Sequence, residues 1–378
     1  MRRWMLSAAT LACIPLTPIP SRAQSSPAPA MAGPLQFPSP AVLNAGPFGK
    51  LEVTGIVSGI GLVQDNPAPN DKSGQADLSN AQLFIQKTTG VWQFFLEAGT
   101  YNIPALATPF LSTANTVTDF YGPLPVAYLK LAPTKNISVE IGQLPTLLGA
   151  EYTFDFQNMN IERGLLWNQE NSINRGIQID GNFSHFSTSL SWNDGFYSNR
   201  YSWLTGSLSY TFHSAHTLTF IAGGNYAQTR FRSLATPVQN NGSIYNLIYT
   251  YSKGNWTIQP YFQYGDVPAN QNANIPQGAA TRGGAILATY HFKHQLSLSG
   301  RGEYLSSSGR TGAINLLFGP GSSAWSITIT PTFQDHGFFV RSEVAIVGAI
   351  DYTPGSGFGL SGMERSQSRV ELELGFLF

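Results

Sequence analysis

The final residues of the chain, Arg369 to Phe378 (RVELELGFLF), decide its fold. Val370, Leu372, Leu374, Phe376 and Phe378 fall on one face of an extended strand, while Arg369, Glu371 and Glu373 fall on the other. Such alternation describes a strand with oil on one side and water on the other, and about ten residues is what a tilted barrel strand needs to cross hydrocarbon. Ala324 to Gln334 (AWSITITPTFQ) repeats the pattern, with Trp325, Ile327, Ile329 and Phe333 on one face.

Followed along the chain, the two-residue period recurs near 50–63, 77–87, 91–101, 125–132, 137–144, 174–183, 185–192, 203–212, 217–226, 243–252, 255–264, 281–292, 295–306, 324–334, 338–350 and 367–378. That is about sixteen strands, within the even-numbered range of bacterial outer-membrane barrels. Short turns at 88–90, 133–136, 184, 213–216, 253–254, 293–294 and 335–337 alternate with mostly longer connections at 64–76, 102–124, 145–173, 193–202, 227–242, 265–280, 307–323 and 351–366. Short periplasmic turns and long external loops give that alternation and put both ends of the barrel on the periplasmic side. Ile314 to Phe318 (INLLF) resembles another strand, but counting it breaks the parity, so it is assigned to a loop. The expected fold is an all-β, transmembrane, antiparallel up-and-down β-barrel over residues 49–378.

A soluble β-sandwich or propeller also alternates. Against it stand the strand lengths and a charged fraction of 11%, less than half the usual quarter. Aromatic residues also crowd strand ends (Trp92, Trp192, Trp203, Tyr210, Phe212, Tyr264, Phe292 and Phe378), where rings suit a lipid–water boundary. No mature segment is a continuous apolar run of about 18 residues, which excludes helical membrane spans. The 21 basic and 21 acidic residues balance, which removes the field that would attract nucleic acid.

Ahead of the barrel, Arg2 and Arg3, an apolar run from Trp4 to Leu16 and the small-residue site Ser21-Arg22-Ala23 have the order of a secretory signal peptide, residues 1–23. The sole cysteine, Cys13, lies within it and is poorly preceded for lipid attachment, so a mature chain without disulfides or thiolate chemistry is expected. Residues 24–48 are Pro-, Ala- and Ser-rich without a period and read as an extended or disordered leader.

A Lys or Arg on the lipid face at mid-membrane costs about 2–4 kcal/mol, so charges belong inside. By parity Glu52, Glu97, Lys130, Glu140, Asp180, Arg301, Glu303, Arg341, Glu343, Arg369, Glu371 and Glu373 line the interior. A dry core would hold that many charges only with strict pairing, so a hydrated, pore-lining role is the simpler reading. Arg301 with Glu303, Arg341 with Glu343, and Arg369 with Glu371 are neighbours along strands. Facing rows of opposite charge order water and favour small polar solutes, although the same pairs could simply stiffen the wall.

The connection from Pro145 to Ile173 (PTLLGAEYTFDFQNMNIERGLLWNQENSI) best suits a constriction. Its Leu147, Leu148, Tyr152, Phe154, Phe156, Ile161, Leu165, Leu166 and Trp167 are too apolar for a freely solvated loop and should pack against the inside wall. Folded inward, it carries Glu151, Asp155, Glu162, Arg163 and Glu170 to a narrowing where acidic excess favours cations; folded over the rim, it is a lid.

Several of these stretches are similar to the β-barrel porin family of the OmpL-like type. They are VEIGQLPTLLGAEY (139–152), RGLLWN (163–168), NRGIQIDGNF (174–183), RGEYL (301–305), WSITITPTF (325–333), FFVRSEV (338–344) and the terminal VELELGFLF, so the resemblance runs over the whole mature barrel. Where members often carry a basic residue after the first motif's Gly, this chain has Gln143, so no loop-root charge carries over. The last strand, ending in Phe378, resembles the aromatic-terminated strand that outer-membrane assembly machinery recognises. The resemblance implies passive transport.

The favoured reading is a pore in outer-membrane lipid for small hydrophilic solutes or ions. A barrel hydrolase is the rival from another class, with His185 before Ser187 and Ser189 as raw material but no nucleophile motif around it. His213 with His216, and His291 with His294, sit at turns without carboxylate partners, so neither metal nor cofactor is expected. An adhesion or structural barrel would have a plugged lumen and act through its loops. Trimers are common among pores of this size, so a homotrimer is compatible with the sequence, but nothing in it marks a subunit interface.

Overall fold

The computed structural model describes residues 33–69, 71–227, 235–292 and 295–378; the expected signal peptide and His294 lie outside them. Strand β1 (Ala41–Asn44) precedes β2 (Lys50–Gln64), β3 (Gly74–Lys87), β4 (Trp92–Tyr101), β5 (Val126–Leu131) and β6 (Ile137–Pro145). Next come β7 (Ile173–Phe183), β8 (Phe186–Asn193), β9 (Trp203–Phe212), β10 (His216–Asn225), β11 (Ser243–Lys253) and β12 (Trp256–Val267). The last are β13 (Ala279–His291), β14 (Leu296–Ser307), β15 (Ser323–Asp335), β16 (Phe338–Ile350) and β17 (Ser366–Leu377).

From β2 to β17 each strand pairs antiparallel with the next, and β17 returns to β2 with Arg369 opposite Gln64 and Leu377 opposite Ile56. Those sixteen strands form a closed barrel. Closure leaves no row of unpaired N–H and C=O groups, which is what lets strands cross hydrocarbon. No helix among the described residues is long and apolar enough to cross a membrane. The expected strands match the observed ones to within three residues at either end, and Ile314 to Phe318 lies in a loop as expected.

The faces follow the alternation. Leu372 is 48% exposed on the outer wall, while its neighbour Glu373 is fully buried inside. Trp203 corrects one expectation: it is only 1% exposed and faces inward, its indole N–H donating to Asn240 O at 2.9 Å and its ring packing edge-on to Phe196. A polar ring atom with a buried acceptor suits the interior as well as a headgroup boundary does.

The leader needs a second correction, because residues 33–48 are ordered. Strand β1 pairs with the start of β2, Gly33 N–H donates to Gln157 O at 2.9 Å, and Phe37 packs edge-on to Phe84 and Phe156. Composition without a period hid a segment held by isolated anchors rather than by a repeating face.

The inward loop as candidate functional site

The connection between β6 and β7, residues 146–172, runs inside the barrel. Leu148, Phe154, Ile161, Leu165 and Leu166 are buried, and Leu148, Leu165 and Leu166 share a core with Ile248, Leu287, Ala345 and Val347 of the wall. Burial satisfies the apolar side chains, but it also strips water from an irregular backbone. That backbone forms only two short 3-10 turns, Asp155–Gln157 and Trp167–Gln169, so most of its N–H and C=O groups need partners from elsewhere.

The wall supplies them. Glu343 on β16 accepts from the N–H groups of Ile161 at 2.5 Å and Glu162 at 3.0 Å, and Glu303 on β14 accepts from those of Leu165 at 3.1 Å and Leu166 at 3.4 Å. Arginines serve the carbonyls. Arg341 donates to Asp155 O and Asn158 O, both at 3.0 Å, and Arg301 donates to Glu162 O at 2.7 Å. Arg369 donates to Ala105 O at 3.1 Å and Thr108 O at 2.5 Å in the neighbouring loop. The planar guanidinium fork lets one side chain hold two such acceptors.

Charge pairing completes the anchorage. Arg301 meets Glu151 at 2.7 Å and Glu303 at 3.2 Å, Arg369 meets Glu162 at 2.5 Å, and Arg341 lies 3.5 Å from Glu373. On the loop's other sides Asp155 accepts from Ser79 and, at 2.7 Å, from Asn80 on β3, and the Tyr261 hydroxyl on β12 donates to Glu170. Gly164 lets the loop come close to the wall: a Cβ there would displace the Glu303 carboxylate from its loop and Ser326 partners. Burial pushes the Glu151 and Glu170 carboxyls above the usual range and lowers Arg163 to about 10.

Glu151, Asp155, Glu162, Arg163 and Glu170 are therefore all buried inside the barrel. Arg301, Glu303, Arg341, Glu343, Arg369, Glu371 and Glu373 face inward too, but where the sequence reading set water against them, the structure sets the loop against them. The reason is the loop's own backbone, whose polar groups demand partners that alternation along a strand cannot reveal.

The remaining inward charges lie on other strands and pair locally. Glu97 accepts from Gln82 at 2.8 Å, Lys130 meets Glu140 at 3.0 Å, and Asp180 accepts from Gln178 at 2.9 Å and Ser189 at 2.7 Å. At the loop root Gln143 accepts from the Tyr197 hydroxyl at 2.8 Å, and Arg175 stands opposite it in register. Sequence reasoning missed Tyr261, Ser79, Asn80 and Thr330 as loop partners; each is a polar residue on the inward face, which is the signal that could have found them. His185 is exposed, and His213 and His216 stack edge-on at 6.5 Å without converging on a carboxylate.

Space remains on both sides of the loop. At the long-loop end a cavity of about 420 Å³ has Trp167 to Glu170 in its lining, with Phe120 and Leu317 beside them. Toward the short-turn end, Ser207, Ser209, Thr211, Thr217, Thr250 and Thr257 are half-buried on the inward face of β9 to β12.

Three solved structures share the architecture. OmpT of Vibrio cholerae matches with 12% identity and a TM-score of 0.61 over 89% of this chain and 100% of that one. An anion-selective porin from Comamonas acidovorans matches with 11% identity and 0.58 over 87% and 99%. The outer membrane channel DcaP of Acinetobacter baumannii matches with 12% identity and 0.58 over 87% and 97%. At these identities the likeness speaks to fold alone. No curated protein matches the sequence. The family model "Putative beta-barrel porin-2, OmpL-like" matches residues 50–378, the whole barrel, and with its closed wall and inward loop the chain belongs to that family of bacterial outer-membrane porins.

Proposed function

We propose that the barrel passes small hydrophilic solutes and ions by passive diffusion, that the loop 146–172 sets its bore, and that cations pass more readily than anions. The observation that carries this reading is the charge of the inward groups. Among the described residues twelve buried groups are acidic (Glu97, Glu140, Glu151, Asp155, Glu162, Glu170, Asp180, Asp194, Glu303, Glu343, Glu371, Glu373) against four basic (Arg163, Arg301, Arg341, Arg369), with Lys130 and Arg175 half-buried beside Glu140 and Asp194. An acidic excess around a low-dielectric passage raises the local concentration of cations.

Channel action rather than hydrolysis fits the raw material for a nucleophile. Ser189 is tied to Asp180 at 2.7 Å, and His185 sits exposed in the turn before it. The last strand also closes the barrel, with Phe378 exchanging backbone hydrogen bonds with Gly55, which suits delivery by assembly machinery that reads that strand. A homotrimer in outer-membrane lipid is the assembly proposed.

Reversal potential across a planar bilayer in a salt gradient tests the reading. A potential of cation-selective sign is expected, and an anion-selective sign overturns it.

A further inference from the structure

The wall charges that anchor the loop leave one group of carboxylates unmatched. Glu162 of the loop, Glu343 of β16 and Glu371 of β17 each bring an oxygen within 4.8 Å of the other two, and all three side chains are buried. Glu343 and Glu371 stand directly opposite each other in the ladder. Like charges in that position repel, and burial strengthens the repulsion.

Their hydrogen bonds do not resolve it. Both carboxylate oxygens of Glu371 and the Oε2 of Glu162 are buried without a hydrogen-bond partner. The other Glu162 oxygen is taken by Arg369, and Glu343 is held by the loop N–H groups and Thr330. Arg163 does not answer the need by hydrogen bonding: its guanidinium nitrogens have no partner, and the group lies over the Trp167 ring at 5.3 Å. Around the loop and its wall, eight acids (Glu151, Asp155, Glu162, Glu170, Glu303, Glu343, Glu371, Glu373) face four arginines (Arg163, Arg301, Arg341, Arg369).

We propose that Glu162, Glu343 and Glu371 bind one Ca2+ ion that clamps the inward loop to β16 and β17. An all-oxygen carboxylate set calls for a hard cation. Ca2+, with Ca–O bonds of about 2.3–2.6 Å, bridges oxygens up to about 4.8 Å apart and tolerates irregular coordination, whereas Mg2+ demands a near-ideal octahedron that ligands fixed on two strands and a loop do not offer. Two positive charges would offset half of that acidic excess and relieve the Glu343–Glu371 opposition. Reading the sequence for turn histidines gives no expectation of a metal, because these ligands come from three distant segments.

The test uses the mature chain refolded in detergent free of lipopolysaccharide, stripped with chelator and titrated with Ca2+ alone in equilibrium dialysis. One Ca2+ per chain is expected, with affinity at least tenfold weaker in Glu371→Gln and unchanged in Glu364→Gln on an external loop. Glu162→Gln gives the same loss and decides the matter if Glu371→Gln does not fold. Added Ca2+ raises the unfolding temperature of the wild type and not of either site variant. No stoichiometric uptake into the millimolar range, or wild-type affinity in the site variants, overturns the proposal. Binding is read without conductance, so its failure leaves the channel reading standing, and a silent bilayer leaves the site standing.

Discussion

The wall of β14 to β17 and the wall of β8 to β10 are built alike, with antiparallel neighbours and oil outside, yet their interiors differ. The first presents Arg301, Glu303, Arg341, Glu343 and Arg369, all buried and all bonded to loop backbone or loop carboxylates. The second presents Ser189, Ser191, Thr205, Ser207, Ser209 and Thr219, where Ser209 and Thr219 share a hydrogen bond at 2.8 Å and Ser189 donates to Asp180 on neighbouring β7 at 2.7 Å. An inward charge on a barrel strand is thus not by itself a sign of water at that spot. Here it marks where irregular backbone has been brought into the interior, since carboxylates complete its N–H groups and guanidinium groups its carbonyls.

The sharpest way to break the contrast is Arg301→Met. It strands Glu151 and Glu303 without their cation, a loss of about 3–5 kcal/mol for a broken buried pair, read as a lower unfolding temperature and noisier, larger single-channel current. On the outer face Leu372→Arg puts a charge against lipid for about 2–4 kcal/mol, and its folded yield into vesicles should fall. Glu373→Gln one residue away should still insert, and equal damage from both substitutions would show the faces to be wrongly assigned. On the hydroxyl wall, Ser207→Ala should change stability by no more than about 0.5 kcal/mol, because that position holds no loop anchor.

The smallest expected effect is in pH. Burial raises the Glu170 carboxyl above its unfolded value, so its contribution to stability is fully present below the unfolded pKa and is lost as pH rises through the folded one. The unfolding temperature of the wild type should therefore fall along that rise more than that of Glu170→Gln, which keeps the neutral form at every pH. Parallel pH profiles would remove Glu170 from the account.

Strand number and strand faces are legible in the sequence, because each is written locally, and so is the need of the loop 145–173 to pack, though not whether it packs inside the wall or over the rim. The alternation from Val370 to Phe378 names its two solvents, and nine large apolar residues in one connection rule out free solvation. Period two assigns a side chain to a face but not to a height or a partner, and the misses follow from that. Strand-end position assigns Trp203 to the girdle because it cannot tell an inward ring from an outward one. The Glu343–Glu371 opposition depends on the register of strands joined by a long connection, and the grip of Arg341 on Asp155 and Asn158 depends on where the loop lands. The order of residues 33–48 escapes a reading by period because it rests on a few contacts made across the fold, such as Phe37 on Phe156.

Single-channel conductance of the full barrel against a variant lacking residues 151–167 tests most directly the proposal that the loop sets the bore. A several-fold larger conductance in the shortened barrel, with inserted yield retained, is the predicted result. Equal conductance in the two would contradict the account and place the passage away from the loop.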